Sequence, residues 1–223
     1  MCVFAVPDAF VKAGYLQGID LYLWYAFIAL CAIACIFFLL RMSRSESKTQ
    51  KHLYVGYALL CLGYAVTRVF FIVAVFVPDQ YDFYTELGYV PGIVGGIALI
   101  FVAELHLIPQ TKKVITILLM AALALCIIGV AGTYSRDIVY YLVVGVSLLA
   151  VVFIIVIYIY LLKMSTGNIR NKTAGAFIGL LLIGLGAIAD SQIAYTSLGM
   201  ITIVPPLLMI AGTLFFITFQ RAD

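Results

Sequence analysis

The sequence predicts an all-α, seven-transmembrane helical bundle with its N-terminus outside and its C-terminus in the cytoplasm. Three observations carry that prediction. Hydrophobic residues fill 65% of the 223 positions and charged residues only 10%, whereas an ordinary soluble domain is roughly a quarter charged. Seven apolar runs follow one another, each near the ~20 residues that a helix needs to cross a hydrocarbon core. Basic residues crowd alternate connections only. Mean hydropathy is +1.19, so little of the surface is built to face water, and the short connections leave no room for a soluble catalytic domain. The chain is expected to form a single membrane domain over residues 1–223.

Residues 1–20 precede the first run. Asp8 and Lys12 interrupt any signal-peptide core there, so the segment is expected to be a short external tail at the interface, held by Phe4, Phe10, Tyr15 and Leu16. The first helix is expected over 21–40. It carries Trp24 near its outer end and ends at the basic stretch Arg41, Arg44, Lys48 and Lys51. The second, over 53–77, ends before Pro78 and encloses Arg68. An acidic outer connection with Asp79, Asp82 and Glu86 then leads to the third, over 87–107, which closes before Pro109. The fourth, over 114–130, is the shortest and follows Lys112 and Lys113. The fifth runs over 138–162 to Lys163. The sixth, over 174–195, follows Arg170 and Lys172. The seventh, over 201–219, ends at Arg221.

The basic connections all fall on one side. That side holds ten lysines and arginines; the other holds only Lys12 and Arg136, beside Asp8, Asp20, Asp79, Asp82, Glu86 and Asp137. Positive charge marks the cytoplasmic side, which sets the orientation and accounts for the basic loops without nucleic acid. A multi-pass protein of the cell membrane is expected, with the lipid bilayer as its first partner.

Small residues mark expected helix contacts. Gly92 and Gly96, and Gly175 and Gly179, are four apart, with Gly186 continuing the second stripe, and such spacing lets backbones approach closely. Pro205 and Pro206 are expected to kink or unwind the seventh helix, either as a hinge or as a tolerated packing kink. Residues 39–43 and 161–165 read alike (Leu-Leu-Arg-Met-Ser and Leu-Leu-Lys-Met-Ser). Lys51, Leu59, Leu60 and Gly63 match Lys172, Leu180, Leu181 and Gly184, and Val90-Pro91 matches Val204-Pro205. These matches fit two three-helix units joined by the fourth helix, although leucine matches inside apolar runs come cheaply.

Ionisable groups at membrane depth are costly and are functional candidates by default. Arg68 lies sixteen residues beyond His52, and Asp190 seventeen beyond Thr173. At ~1.5 Å per residue both reach about 24–26 Å along their helices, in the outer half of the membrane. Arg68 and Asp190, with Tyr64, Gln192, Tyr195 and Trp24, are the candidate ligand-binding residues of an outward-facing pocket. The alternative is an ion pair that locks two helices. Glu104, with His52, is the candidate latch at the inner rim, the alternative being simple interfacial pairing with Lys51 or Lys112. The acidic outer connection is read as a solvated loop. Cys31, Cys35, Cys61 and Cys126 fall within helices, which implies neither a disulfide framework nor a metal site. No zinc-enzyme motif, nucleophile elbow or phosphate loop occurs, so no enzyme, catalytic residue or cofactor is expected.

The segment Leu87-Gly-Tyr-Val-Pro-Gly through Phe101-Val-Ala-Glu104, with the pattern over 59–68, resembles the seven-helix sensory region of prokaryotic histidine kinases. The stretch Arg68-Val-Phe-Phe71 resembles uncharacterised archaeal multi-pass proteins. The seven-span topology also resembles rhodopsins and G-protein-coupled receptors, but the seventh helix has no lysine to hold retinal. These resemblances imply a receptor-like sensor of a small polar ligand. A kinase domain follows helix seven in the sensory family; here the sequence stops at Asp223, so output is expected to pass through a cytoplasmic signalling protein or a homo-oligomer. A three-plus-one-plus-three plan resembles the PQ-loop sugar carriers and implies a small-solute transporter as the alternative. A non-catalytic membrane subunit is the third reading.

Overall fold

In the computed structural model the described residues are 8–12, 14–133 and 136–221. They form helices and short turns, with no strand among them. The helices are α1 (Asp8–Lys12), α2 (Ile19–Arg44), α3 (Lys48–Phe76), α4 (Tyr81–His106), α5 (Val114–Ile128), α6 (Arg136–Met164), α7 (Gly167–Ala189), α8 (Gln192–Ser197) and α9 (Val204–Arg221). Seven segments, one on each helix except the short α1 and α8, are long and apolar enough to span a bilayer. The chain is therefore a multi-pass helical membrane protein.

The burial pattern suits a lipid solvent. On α5, Thr116, Leu119, Leu123 and Cys126 form one buried stripe, while Ile117, Leu118, Met120, Leu125 and Ile127 are exposed. Leucine and isoleucine on an outward face are costly in water and free of cost against acyl chains. α5 continues into a widened turn over Gly129–Thr133, where Gly132 takes φ +97°. Only a residue without a β-carbon adopts that angle readily.

By its internal contacts the chain divides into two compact units, one of residues 31–154 and one of residues 1–30 with 155–223. In the first, α3 and α4 cross antiparallel at glycines. A β-carbon on Gly63 would collide with the carbonyl oxygen of Pro91, and one on Gly95 would lie 2.8 Å from the carbonyl oxygen of Leu59. In the second, α7 and α9 repeat the arrangement. A β-carbon on Gly179 would lie 2.7 Å from the Gly212 carbonyl oxygen, and one on Gly186 would lie 2.9 Å from that of Pro205. Of the glycines expected at contacts, Gly92 faces the Thr67 hydroxyl and Gly175 the Phe219 ring, while Gly96 meets Ala150 and Ile154 of α6 at ordinary distance.

Several helix boundaries depart from the sequence expectation, and those of α4, α7 and α9 move candidate residues. α4 starts at Tyr81 rather than 87, so Asp82 and Glu86 are helical and Pro91 lies inside the helix. Neighbouring helices make an interior proline tolerable in a membrane. α7 runs from Gly167 to Ala189, with Asp190 as its C-cap. α9 begins at Val204, which places Pro205 and Pro206 in its first turn. There their missing N–H groups would have had no helical partner anyway, so they start the helix rather than kink it.

Gly63→Ala should force α3 and α4 apart and cost about 1–3 kcal/mol, as overpacking generally does. Gly145→Ala on α6, where an added methyl meets nothing within 4 Å, should be neutral or stabilising by up to about 1 kcal/mol. Thermal unfolding of both variants in detergent checks the contrast.

Candidate functional site

The α3–α4 crossing sets a register. Five residues beyond Gly63 comes Arg68, and five before Pro91 comes Glu86, so a guanidinium and a carboxylate stand at matching levels on antiparallel neighbours. Both are buried, at 3% and 2% exposure. Thr67 is buried beside Arg68, and Tyr64 lies half-buried one turn earlier, with Arg68, Cys61 and Cys31 as its electrostatic neighbours. The Arg68 guanidinium lies over the Phe71 ring at 5.2 Å. Phe71 in turn meets Tyr89 edge-on at 5.0 Å, and Phe70 stacks on Tyr84 at 6.5 Å. The result is a charged, hydroxyl-bearing cluster with aromatic flanks at the end of α3 remote from its lysines. Glu86 was expected in a solvated loop. It is instead one of the most enclosed side chains of this unit.

Asp190 belongs to the other unit, where it caps α7. Tyr195 donates from its hydroxyl to Asp190 Oδ1 at 3.0 Å. The Tyr195 ring also meets Phe10 at 5.4 Å and Tyr15 at 5.8 Å, while Phe10 and Tyr15 lie 4.6 Å apart. All three rings are buried. The segment expected to lie on the interface therefore docks on α8 through Phe10 and Tyr15, with Leu16 also buried; Phe4 lies outside the described residues. Asp20 secures the turn after this segment by accepting the backbone N–H groups of Leu16 and Gly18. Ser191 caps α8 by accepting the Ala194 N–H at 3.2 Å. Gln192 is the first residue of α8, and its side chain lies outside the described set. Trp24 is fully enclosed on α2 and edge-on to Phe27 at 6.0 Å.

At the opposite end of α4, Glu104 is 1% exposed. Its carboxylate accepts the N–H of Ile115 at 3.1 Å and that of Thr116 at 2.7 Å, together with the Thr116 hydroxyl. The hydrogen bonds of Glu104 thus go to the start of α5, not to His52, Lys51 or Lys112. The first amides of a helix lack intrahelical acceptors, and its dipole favours negative charge there. The two residues before α5, Lys112 and Lys113, have left-handed backbone at φ 50° and 64°. His52 pairs with His106, their Nδ1 and Nε2 atoms 2.7 Å apart.

Glu86, Thr116, His106, Phe10 and Tyr15 are the site residues that sequence reasoning missed. Each is defined by a partner remote in sequence. The half-buried phase of Glu86 with Ile93, Ile97 and Ile100 on one stripe of α4 was the one local signal for it. The chain matches no protein-family model, no curated protein and no solved structure.

Glu104→Ala should strand two backbone donors and destabilise the protein by about 1–3 kcal/mol, with faster amide hydrogen exchange at Ile115 and Thr116. Glu104→Gln, which keeps one acceptor oxygen, should lose less. Tyr195→Phe should cost about 1 kcal/mol for a single hydrogen bond and loosen residues 10–16 in the same exchange experiment.

Proposed function

We propose that this chain is a receptor-like sensor of the cell membrane, with its N-terminus outside. A small ligand bearing a negative charge or hydroxyls binds at the outer end of the α3–α4 pair. The observation that supports this reading is the burial of Arg68 beside Thr67 on α3 and of Glu86 at a matching level on α4, because intramembrane charge is costly and is retained where it acts. Arg68 supplies a planar, forked donor for a carboxylate or phosphate. Tyr64 supplies a hydroxyl, and Glu86 a counter-charge that the ligand must outcompete or complement. Because Arg68 and Glu86 sit on opposite helices of a glycine crossing, a ligand held by one of them biases the packing of the pair. A tenfold difference in affinity between two packings shifts their balance by about 1.4 kcal/mol. The basic loops at the other end of α3 and α4 then report to a cytoplasmic signalling protein. Asp190 and Tyr195 are assigned a different task, that of anchoring the external N-terminal segment.

A second reading is favoured by one observation. Gly63 faces the Pro91 carbonyl in one unit, and Gly186 faces the Pro205 carbonyl in the other. The same crossing thus recurs between the second and third spans and between the sixth and seventh, as parallel repeats in a small-solute transporter would give. The equivalent of Gly63 is then Gly186 rather than Gly184.

Purified protein should be screened for thermal stabilisation by small carboxylates, phosphates and polyols beside Arg68→Gln. A sensor should give a hit worth about 2.7 kcal/mol at a hundred times its Kd, lost in the variant and without flux in proteoliposomes. Flux of the same compound selects the transporter. Absence of any hit, with the variant clearly less stable than the parent, reduces these residues to a structural role.

A further inference from the structure

The chain contains only two histidines, and the fold brings them together. His52 stands near the start of α3 and His106 at the end of α4. Their facing nitrogens, Nδ1 of His52 and Nε2 of His106, lie 2.7 Å apart, with ring centroids 4.9 Å apart. His52 is exposed and His106 half-buried, so the pair is open to solvent on one side. The remaining nitrogen of His106, Nδ1, lies 3.5 Å from the hydroxyl of Thr49, nearly one turn before His52 on α3. If that nitrogen carries the proton toward Thr49, then Nε2 presents its lone pair toward His52.

The geometry points to a dihistidine site for a late first-row divalent cation, built by His52 and His106 and oriented by Thr49. This does not rest on the ligand cluster at the far end of the same helices. Such a metal binds imidazole nitrogen at about 2.0–2.1 Å, so two nitrogens at a right or tetrahedral angle stand about 2.9–3.4 Å apart. A separation of 2.7 Å is a few tenths of an ångström short of that range, and the rings face one another nearly head-on with centroids 4.9 Å apart. Turning each ring by roughly 35–45° aims both lone pairs at one metal beside the present contact, which replaces the hydrogen bond between the rings. A hydrogen bond to the non-ligating nitrogen is the usual support of a metal-bound histidine, and Thr49 is placed to give it. Among the described residues no cluster of three histidine, cysteine or acidic side chains forms, so the protein supplies two ligands here and water the rest. Such a site is open and exchangeable rather than structural. Lys48 and Lys51 on α3, and Lys112 and Lys113 beyond α4, add positive charge around this end, which weakens binding and favours the ion with the strongest imidazole bonds, Cu2+ over Ni2+ and Zn2+. A bound metal would tie α3 to α4 at the end carrying the basic loops.

The test uses tag-free, chelator-treated protein in detergent, titrated calorimetrically with Cu2+, Ni2+ and Zn2+. One equivalent should bind per chain, with affinity at least tenfold lower in His52→Ala and in His106→Ala, and about tenfold lower in Thr49→Val. The Cu2+ complex should show two imidazole nitrogens by electron paramagnetic resonance. Binding that is absent, or unchanged in both histidine variants, overturns the site, as does binding lost instead on replacing the cysteine at position 2 of the sequence, in Cys2→Ser. If either histidine variant fails to fold, the native sequence still decides. Carbethoxylation of His52 and His106, followed by mass spectrometry, should slow when metal is present, and equal rates with and without metal refute the proposal.

Discussion

Close backbone contact between helices is the constraint on which this structure depends. In a bilayer, apolar side chains gain nothing by leaving lipid for protein, so helices associate through packing contacts and hydrogen bonds. Here α3 meets α4, and α7 meets α9, at glycines set against main-chain carbonyls of the partner, those of Pro91 and Pro205 among them. Both crossings leave no room for a methyl group. Such contacts have few alternative registers, and register decides which polar side chains come level with one another.

Register places the buried charges. The Gly63–Pro91 contact brings Arg68 and Glu86, both buried, to one level on neighbouring helices. Glu104 is matched by backbone: its carboxylate is stabilised by amides that would otherwise lack acceptors. The N-terminal segment is held by Asp190, Tyr195, Phe10 and Tyr15 through one hydrogen bond and three ring contacts. In each case the polar group is matched by a neighbour that folding supplies.

The spans were legible because hydropathy is a local sum, and twenty apolar residues admit few readings. Helix ends were less legible. Asp82 and Glu86 looked like loop residues because a carboxylate in a membrane helix is unfavourable until its partner on another helix is known. The apolar run through Ile193, Ala194 and Tyr195 concealed the break after Ala189, since the short α8 continues the same composition. Arg68 was found from its charge alone. The burial of Glu86, the histidine pair and the Glu104 clasp are non-local, and no window along the chain contains them. A seventh span starting at 201 puts Pro205 and Pro206 early in the helix but past its first turn, where a kink is expected; the start at Val204 puts them in the first turn instead.

The clasp on α5 bears on how this protein meets membranes of different thickness. The span that opens with α5, Val114–Gly132, is 19 residues long, about 28 Å at 1.5 Å per residue, against a hydrocarbon core of about 30 Å. The spans of α3 and α6 have 29 and 27 residues and can tilt to fit a thinner bilayer. The α5 span has no length to spare, and a helix end drawn into hydrocarbon ordinarily exposes bare amides. Glu104 already satisfies those of Ile115 and Thr116 from within the protein, so this end can lie below the headgroups without needing water. Lipid thickness can therefore vary around α5 without unwinding the start of this 19-residue span.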